Sequence, residues 1–206
     1  ARVILCEPTL AARNAACAAV QEQTGAELIH PYDDARVIAG QGTAALELVE
    51  QAGPFDAVIA PVSGGGLLSG IAIATHGLDP GVRVLGGEPA QAADAHASLR
   101  RGALVTDIIP DTIADGLRAQ LCARTYAILR AHAVEVLLAG EDGIVAAMRL
   151  VWDRLKLVVE PSGAVALAAL IAGREGVAGL RIGVILSGGN VDLDRLPWQE
   201  PRFQRE

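Results

Sequence analysis

The sequence predicts an α/β fold, an open and mostly parallel sheet with helices on both faces. Three observations carry that expectation. Short apolar runs alternate with longer, alanine-rich amphipathic ones along most of the 206 residues. That alternation marks βαβ units rather than a bundle or a sandwich. Two of the apolar runs, Asp56–Ala60 and Arg181–Leu186, lead straight into glycine loops. These loops, Ser63-Gly64-Gly65-Gly66-Leu67 and Ser187-Gly188-Gly189-Asn190, each follow a strand pattern, as ligand loops of wound sheets do.

Taken in order, Val3–Leu5 reads as a strand. Thr9 caps a helix that runs to about Thr24 and stops at Gly25. Ala26–Ile29 reads as a second strand, and His30–Asp34 as a turn. A helix over about Gly42–Ala52 meets the breaker Gly53-Pro54. Strand 56–60, the first glycine loop, helix 67–76 and strand Val82–Leu85 follow. Residues 89–115 read as irregular or short helices. Helical patterns return at about 119–131 and 141–155. A further helix starts at Glu160-Pro161-Ser162-Gly163 and runs to Ala172, and the last strand enters the second loop. Residues 1–30 are expected to finish a small domain and 31–194 to form most of a large one. Residues 195–206, which hold Trp198 and Phe203, read as a surface tail.

Half of the residues are apolar and the formal charge is −7, from 24 acidic against 17 basic residues. Lys156 is the sole lysine and the arginines are scattered. Nucleic acid is therefore not the expected partner, because phosphate backbones need clustered cations. The longest apolar stretch, Gly163–Gly173, is too short for a bilayer. Cys6, Cys17 and Cys122 lack metal-ligand spacing and read as reduced thiols, which suits the cytoplasm.

A strand, a glycine loop and an apolar helix make an anion cradle. The loop leaves backbone N–H groups free and the helix dipole favours negative charge. The first loop is not followed by the Lys-Ser/Thr of a nucleoside-triphosphate loop. Gly64-x-Gly66 with Glu88 24 residues on resembles a dinucleotide fingerprint with its ribose acid. Spacing alone leaves nicotinamide binding, another phosphate ligand and plain tight packing open. The second loop adds weight to a cofactor held at both ends, since a dinucleotide domain needs no Ser-Gly-Gly-Asn at another strand.

Five ordered motifs carry a resemblance. They are Ala39-Gly40-Gln41-Gly42-Thr43, Pro61–Gly70, Thr112-Ile113-Ala114-Asp115-Gly116, Glu160-Pro161-Ser162-Gly163-Ala164 and Leu186–Asn190. Together they resemble the serine/threonine dehydratase and serine racemase group of fold-type II pyridoxal phosphate enzymes over about residues 1–194. The resemblance implies that Ser63, Gly64, Gly65, Gly66 and Leu67 bind the cofactor phosphate. It implies that Ser187 bonds the pyridine nitrogen and that Gly116 and Glu160 line the pocket. Glu88, the Ala92 carbonyl and Asp94 match the family's site for Mg²⁺ or Ca²⁺. Arg13 matches an arginine near the substrate or domain interface, and a surface arginine is the plainer reading. Lys156 matches a position near a nucleotide effector, and a solvated helix lysine is the plainer reading.

In this family the lysine that carries the cofactor, and the loop that grips the substrate carboxylate, lie N-terminal to all these motifs. The resemblance thus implies a C-terminal portion with no catalytic lysine among its residues, inactive alone. The expected parent is a homodimeric ammonia-lyase that converts L-serine or L-threonine to a 2-oxo acid and ammonia. A serine racemase of the same family is the alternative. A dinucleotide-binding oxidoreductase domain or an inactive binding remnant are the alternatives of another class.

Overall fold

The computed structural model describes residues 2–7 and 9–199. Two compact units divide the chain, residues 1–31 and 32–206.

The first unit holds one helix, α1 (Leu10–Thr24). The Thr9 hydroxyl accepts from the Ala12 N–H at 3.1 Å, and Gly25 closes the helix in the left-handed region at φ 68°. The expected strands at Val3–Leu5 and Ala26–Ile29 do not form. Strand propensity is realised only when a neighbour supplies a ladder. Val3 and Leu5 are exposed, as are Leu28 and Ile29.

The second unit is built on four strands, β1 (Ala57–Pro61), β2 (Arg83–Pro89), β3 (Glu135–Ala139) and β4 (Ile182–Val184). Their order is β3-β2-β1-β4 and every pairing is parallel. The helices are α2 (Ala35–Ala52), α3 (Gly66–Leu78), α4 (Asp94–Arg101), α5 (Ala123–Ala131), α6 (Glu141–Leu155) and α7 (Pro161–Ala172).

Successive strand residues point to opposite faces, and the core divides accordingly. Val58 and Ala60 of β1 pack with Leu68 and Ile71 of α3, Ala45 of α2 and Leu129 of α5. Ala57 and Ile59 pack with Ala166 and Leu170 of α7. Both faces are therefore covered by helices, which explains why β1 is apolar at all five positions. Gly86 and Gly87 divide in the same way. A Cβ at Gly86 would meet Leu68 of α3 at 2.8 Å, and one at Gly87 would meet the Ala166 Cα of α7 at 2.8 Å.

The Gly40–Thr43 motif lies inside α2, which begins seven residues before the expected start. Asp34 caps it by accepting from the Arg36 N–H at 2.8 Å. Arg36 also holds the Asp34 carboxyl at about 2, well below its ordinary value. Gly42 lets α2 and α3 touch backbone to backbone: a Cβ there would lie 2.8 Å from the Gly70 carbonyl oxygen.

Strand β3 has no counterpart in the sequence reading. Val134–Ala139 is a short run between two helical patterns, with no glycine loop after it to mark a strand end; pairing of Leu85 with Glu135 through Pro89 with Ala139 defines it. The tail also departs from expectation. Trp198 is not a free surface residue: it packs edge-to-face on Trp152 at 5.4 Å, against the cluster shared by α6 and α7. Phe203 lies outside the described residues. No helix among the described residues is long and apolar enough to cross a membrane.

Candidate active site

After β1 the chain passes to β2 and β3 on one side, whereas β4 lies on the other. The strand order thus reverses between β1 and β4, the point at which wound sheets take ligands beyond the carboxyl ends of their strands. Both glycine loops emerge there. Val184 is in register with Ile59, and the Ile185 N–H donates to the Ile59 carbonyl at 2.9 Å. From that shared level, Ser63 lies four residues onward along one chain segment and Ser187 three beyond Val184 along the other.

The first loop turns into α3 through Gly65, which has φ 86° and ψ 2° and gives the helix no side-chain cap. The first N–H groups of α3 have no intrahelical acceptor, and no side chain replaces one. A phosphate suits this donor set and the positive end of the helix dipole. The loop is held from behind. The Thr125 hydroxyl, fully buried in α5, donates to the Gly64 carbonyl at 2.8 Å. Thr125 is itself fixed by a capping box with Cys122. The Ser63 hydroxyl accepts from the Ala119 N–H at 3.1 Å and lies 3.1 Å from the Ala119 carbonyl oxygen. The Ser63 side chain therefore braces the loop. Gly64 and Gly66 are required by close packing: the Tyr32 ring occupies the space of a Gly64 Cβ, and Tyr32 Cβ lies 2.8 Å from that of Gly66.

The second loop is tied to the start of α7. The Glu160 N–H donates to the Gly188 carbonyl at 3.0 Å, and Glu160 Oε2 accepts from the Asn190 N–H at 2.7 Å. A Cβ on Gly188 would lie 2.6 Å from Glu160 Oε1. The Gly116 N–H donates to the buried Ser162 hydroxyl at 3.0 Å. Gly116, Glu160, Ser162 and Gly188 thus form one contiguous patch, with exposed Ser187 beside it. Ser162 lies inside the Glu160–Ala164 motif, so its position was legible. Thr125 was not singled out, because Cys122-x-x-Thr125 lacks the Ser/Thr and Glu/Gln that mark a capping box in sequence.

Glu88 and Asp94 occupy a separate place. Glu88, 1% exposed, is the last but one residue of β2 and accepts from the Ala95 and His96 N–H groups of α4 at 2.8 Å each. Asp94 accepts from the Leu121 N–H at 3.0 Å. Burial pushes the Glu88 carboxyl up to about 8; its two N–H donors oppose this, and the Asp94 charge adds to it. Burial likewise raises Asp94 to about 6. Glu88 points into the fold as a cap for α4 and cannot serve as the ribose acid of a dinucleotide site. Two buried carboxyl groups keep lone pairs that their N–H donors leave unused, and a hard cation could replace the proton that burial favours. Among the described residues no group of three or more His, Cys, Asp or Glu side chains stands within metal-binding range.

Lys156 is the C-cap of α6, in the left-handed region at φ 57°. Its side chain is 77% exposed and lies 3.6 Å from Asp153. Arg13 is exposed on α1.

The family model of pyridoxal-phosphate dependent enzymes matches residues 1–188. The chain belongs to this family. Among curated relatives, a β-hydroxyaspartate dehydratase of Paracoccus denitrificans is 48% identical over 193 residues. That match covers 94% of this chain and 61% of the relative. A serine racemase of Arabidopsis thaliana is 44% identical over 200 residues, covering 95% and 60%. Among solved structures, maize serine racemase superposes with a TM-score of 0.89 at 42% identity, covering 92% of this chain and 60% of that one. A threonine deaminase of T.th. superposes with a TM-score of 0.87 at 45% identity, covering 93% and 64%. The chain spans about three fifths of the length of these relatives.

Proposed function

We propose that the full-length protein is a pyridoxal phosphate-dependent ammonia-lyase acting on a small β-hydroxy-α-amino acid, with serine, threonine and 3-hydroxyaspartate as the candidates. The observation that carries this reading is the pair of glycine loops on adjacent parallel strands at the point where the strand order reverses. A dehydratase and an ammonia-lyase of hydroxyaspartate among the relatives support the reaction class.

The backbone N–H groups of Ser63, Gly64, Gly65, Gly66 and Leu67 would hold the cofactor phosphate. Ser187 would meet the pyridine nitrogen, with Gly116 and Glu160 shaping the pocket between. When bound, the cofactor draws electrons from the substrate Cα, acidifying its C–H bond and allowing the β-hydroxyl to leave. A hydroxyl at position 187 does not force a proton onto the ring nitrogen as a carboxylate would. That tempers the electron sink and suits elimination over transamination. A Mg²⁺ or Ca²⁺ ion held by Glu88, Asp94 and the Ala92 carbonyl would neutralise the buried carboxylates and brace α4 against β2.

Lys156, the only lysine of the 206, is an exposed cap at the end of α6 and is not proposed to carry the cofactor. The chain alone is expected to bind pyridoxal phosphate reversibly, without turnover. Borohydride reduction followed by mass spectrometry should then find no cofactor on Lys156. Joined to the segment that completes its relatives, it should release ammonia from one of the three substrates. Racemisation is the second reading, favoured by the serine racemases among the relatives, and chiral analysis of the serine reaction separates the two. No ammonia and no D-serine from the completed protein would refute the proposal.

A further inference from the structure

Two of the four histidines meet outside this site. His76 lies in the last turn of α3, and His132 is the C-cap of α5. Their Nδ1 atoms are 2.8 Å apart, with ring centroids 5.0 Å apart and planes tilted by 37°. His76 Nε2 lies 3.0 Å from the Val82 carbonyl oxygen. A carbonyl only accepts, so Nε2 carries the proton and the neutral ring presents a lone pair at Nδ1. That lone pair lies on the side of the second imidazole. His132 Nδ1 either donates its own proton to it, or carries its proton on Nε2 and shares a cation with it.

We propose that His76 and His132 form a binding site for a late first-row divalent metal ion of the Ni²⁺ or Cu²⁺ type, ligated through both Nδ1 atoms. Four features of the surroundings favour a cation. The carboxyl ends of α3 and α5 converge on the pair, and each end carries partial negative charge. The backbone carbonyl on the far nitrogen of His76 is the usual outer partner of a metal-bound imidazole, fixing its tautomer and orientation. A concavity of about 210 Å³, lined by His76, His132, Val82, Arg83 and Glu135 among others, leaves room for waters to complete the coordination. Glu135 also brings a carboxylate to that rim, where Arg83 holds it at 3.0 Å.

Geometry selects the ion. With metal–nitrogen bonds of about 2.0–2.1 Å, a 2.8 Å separation of the nitrogens corresponds to an angle of about 90° at the metal. That is the cis angle of octahedral or tetragonal sites, which Ni²⁺ and Cu²⁺ prefer. Tetrahedral Zn²⁺ would need the nitrogens about 3.3 Å apart, and the rings would have to open.

The test is calorimetric titration of the 206-residue chain with Ni²⁺ at pH 7.5, with EDTA reversal. With excess Mg²⁺ present to fill the carboxylate pair, one equivalent should bind, and His76→Gln and His132→Gln should each weaken binding at least tenfold. His96→Gln should leave it unchanged, and raising Mg²⁺ further should not compete, which separates this site from the carboxylate pair. Thermal unfolding of each variant without metal checks that it folds. A measurement on the unaltered chain guards against variants that fail: Cu²⁺ should broaden the imidazole NMR signals of His76 and His132 before those of His30 and His96. Absence of Ni²⁺ binding, binding that survives both histidine substitutions, or Cu²⁺ broadening that spares the pair would mean that only a proton bridges these rings, and would overturn the proposal.

Discussion

Gly65→Ala tests the phosphate loop at its most constrained point. Gly65 sits at φ 86°, where a residue with a Cβ loses about 1–2 kcal/mol to local clash. The new methyl would lie 2.7 Å from Leu121 Cδ2, 2.8 Å from Thr125 Cβ and 3.0 Å from Thr125 Oγ1. Leu121 can turn its terminal methyl aside. Thr125 cannot retreat, because its hydroxyl is bonded to the Gly64 carbonyl and its backbone is held by the capping box. Overpacking of this kind costs about 1–3 kcal/mol, so the total should be about 2–5 kcal/mol. The side chain would intrude on the packing behind the loop, not on the cradle in front of it. Any loss of phosphate binding would then follow from a shift of the loop. Urea unfolding of the chain, with and without pyridoxal phosphate, reads both effects, and cofactor affinity should fall as the loop shifts. Gly77→Ala is the internal control. Gly77 lies in the same helix with open space at its Cβ, and alanine there should gain up to about 1 kcal/mol. If Gly65→Ala proved as stable as the unaltered chain within about 0.5 kcal/mol, the packing argument would be wrong.

Without divalent metal, stability should fall as pH rises. Glu88 has its carboxyl near 8 in the folded chain against 4.5 for an unperturbed side chain, so between those values the folded state binds the extra proton. Its contribution is complete below about 4.5 and lost as pH climbs through 8, at up to about 1.4 kcal/mol per pH unit. Asp94, raised from 3.8 to about 6, acts in the same sense. Urea midpoints at pH 5 and pH 8 measure the slope; Glu88→Gln should flatten most of it, and a metal-free profile that is already flat contradicts the assignment. Trp198→Ala should remove an edge-to-face contact worth about 0.5–1.5 kcal/mol beyond its burial. Because Trp152 and Trp198 are the only tryptophans, the accompanying change in near-ultraviolet circular dichroism reports this pair directly, and an unchanged spectrum would detach the tail from the core.

Much of the site was legible because glycine loops announce themselves in sequence. Ser63–Leu67 and Ser187–Asn190 follow strands as read, and Gly116 and Glu160 do gather beside Gly188. Local chemistry also sufficed for α1, where Thr9 and Gly25 carry both caps, and for α7, where Pro161 takes the first turn. The sequence could not decide what depends on a partner distant along the chain. Val3–Leu5 has strand composition but finds no ladder, whereas Glu135–Ala139 becomes a strand because β2 offers one. Nothing near Ser63 indicated that its hydroxyl would brace Ala119, 56 residues away, or that Thr125 would hold Gly64 across 61. Glu88 fits a ribose acid by spacing, yet folding turns it inward to cap α4. Residue type and short-range geometry thus determined which segments can cradle an anion. The order of the strands decided that two such segments would emerge side by side, because β1 and β4 are parallel neighbours where the order reverses.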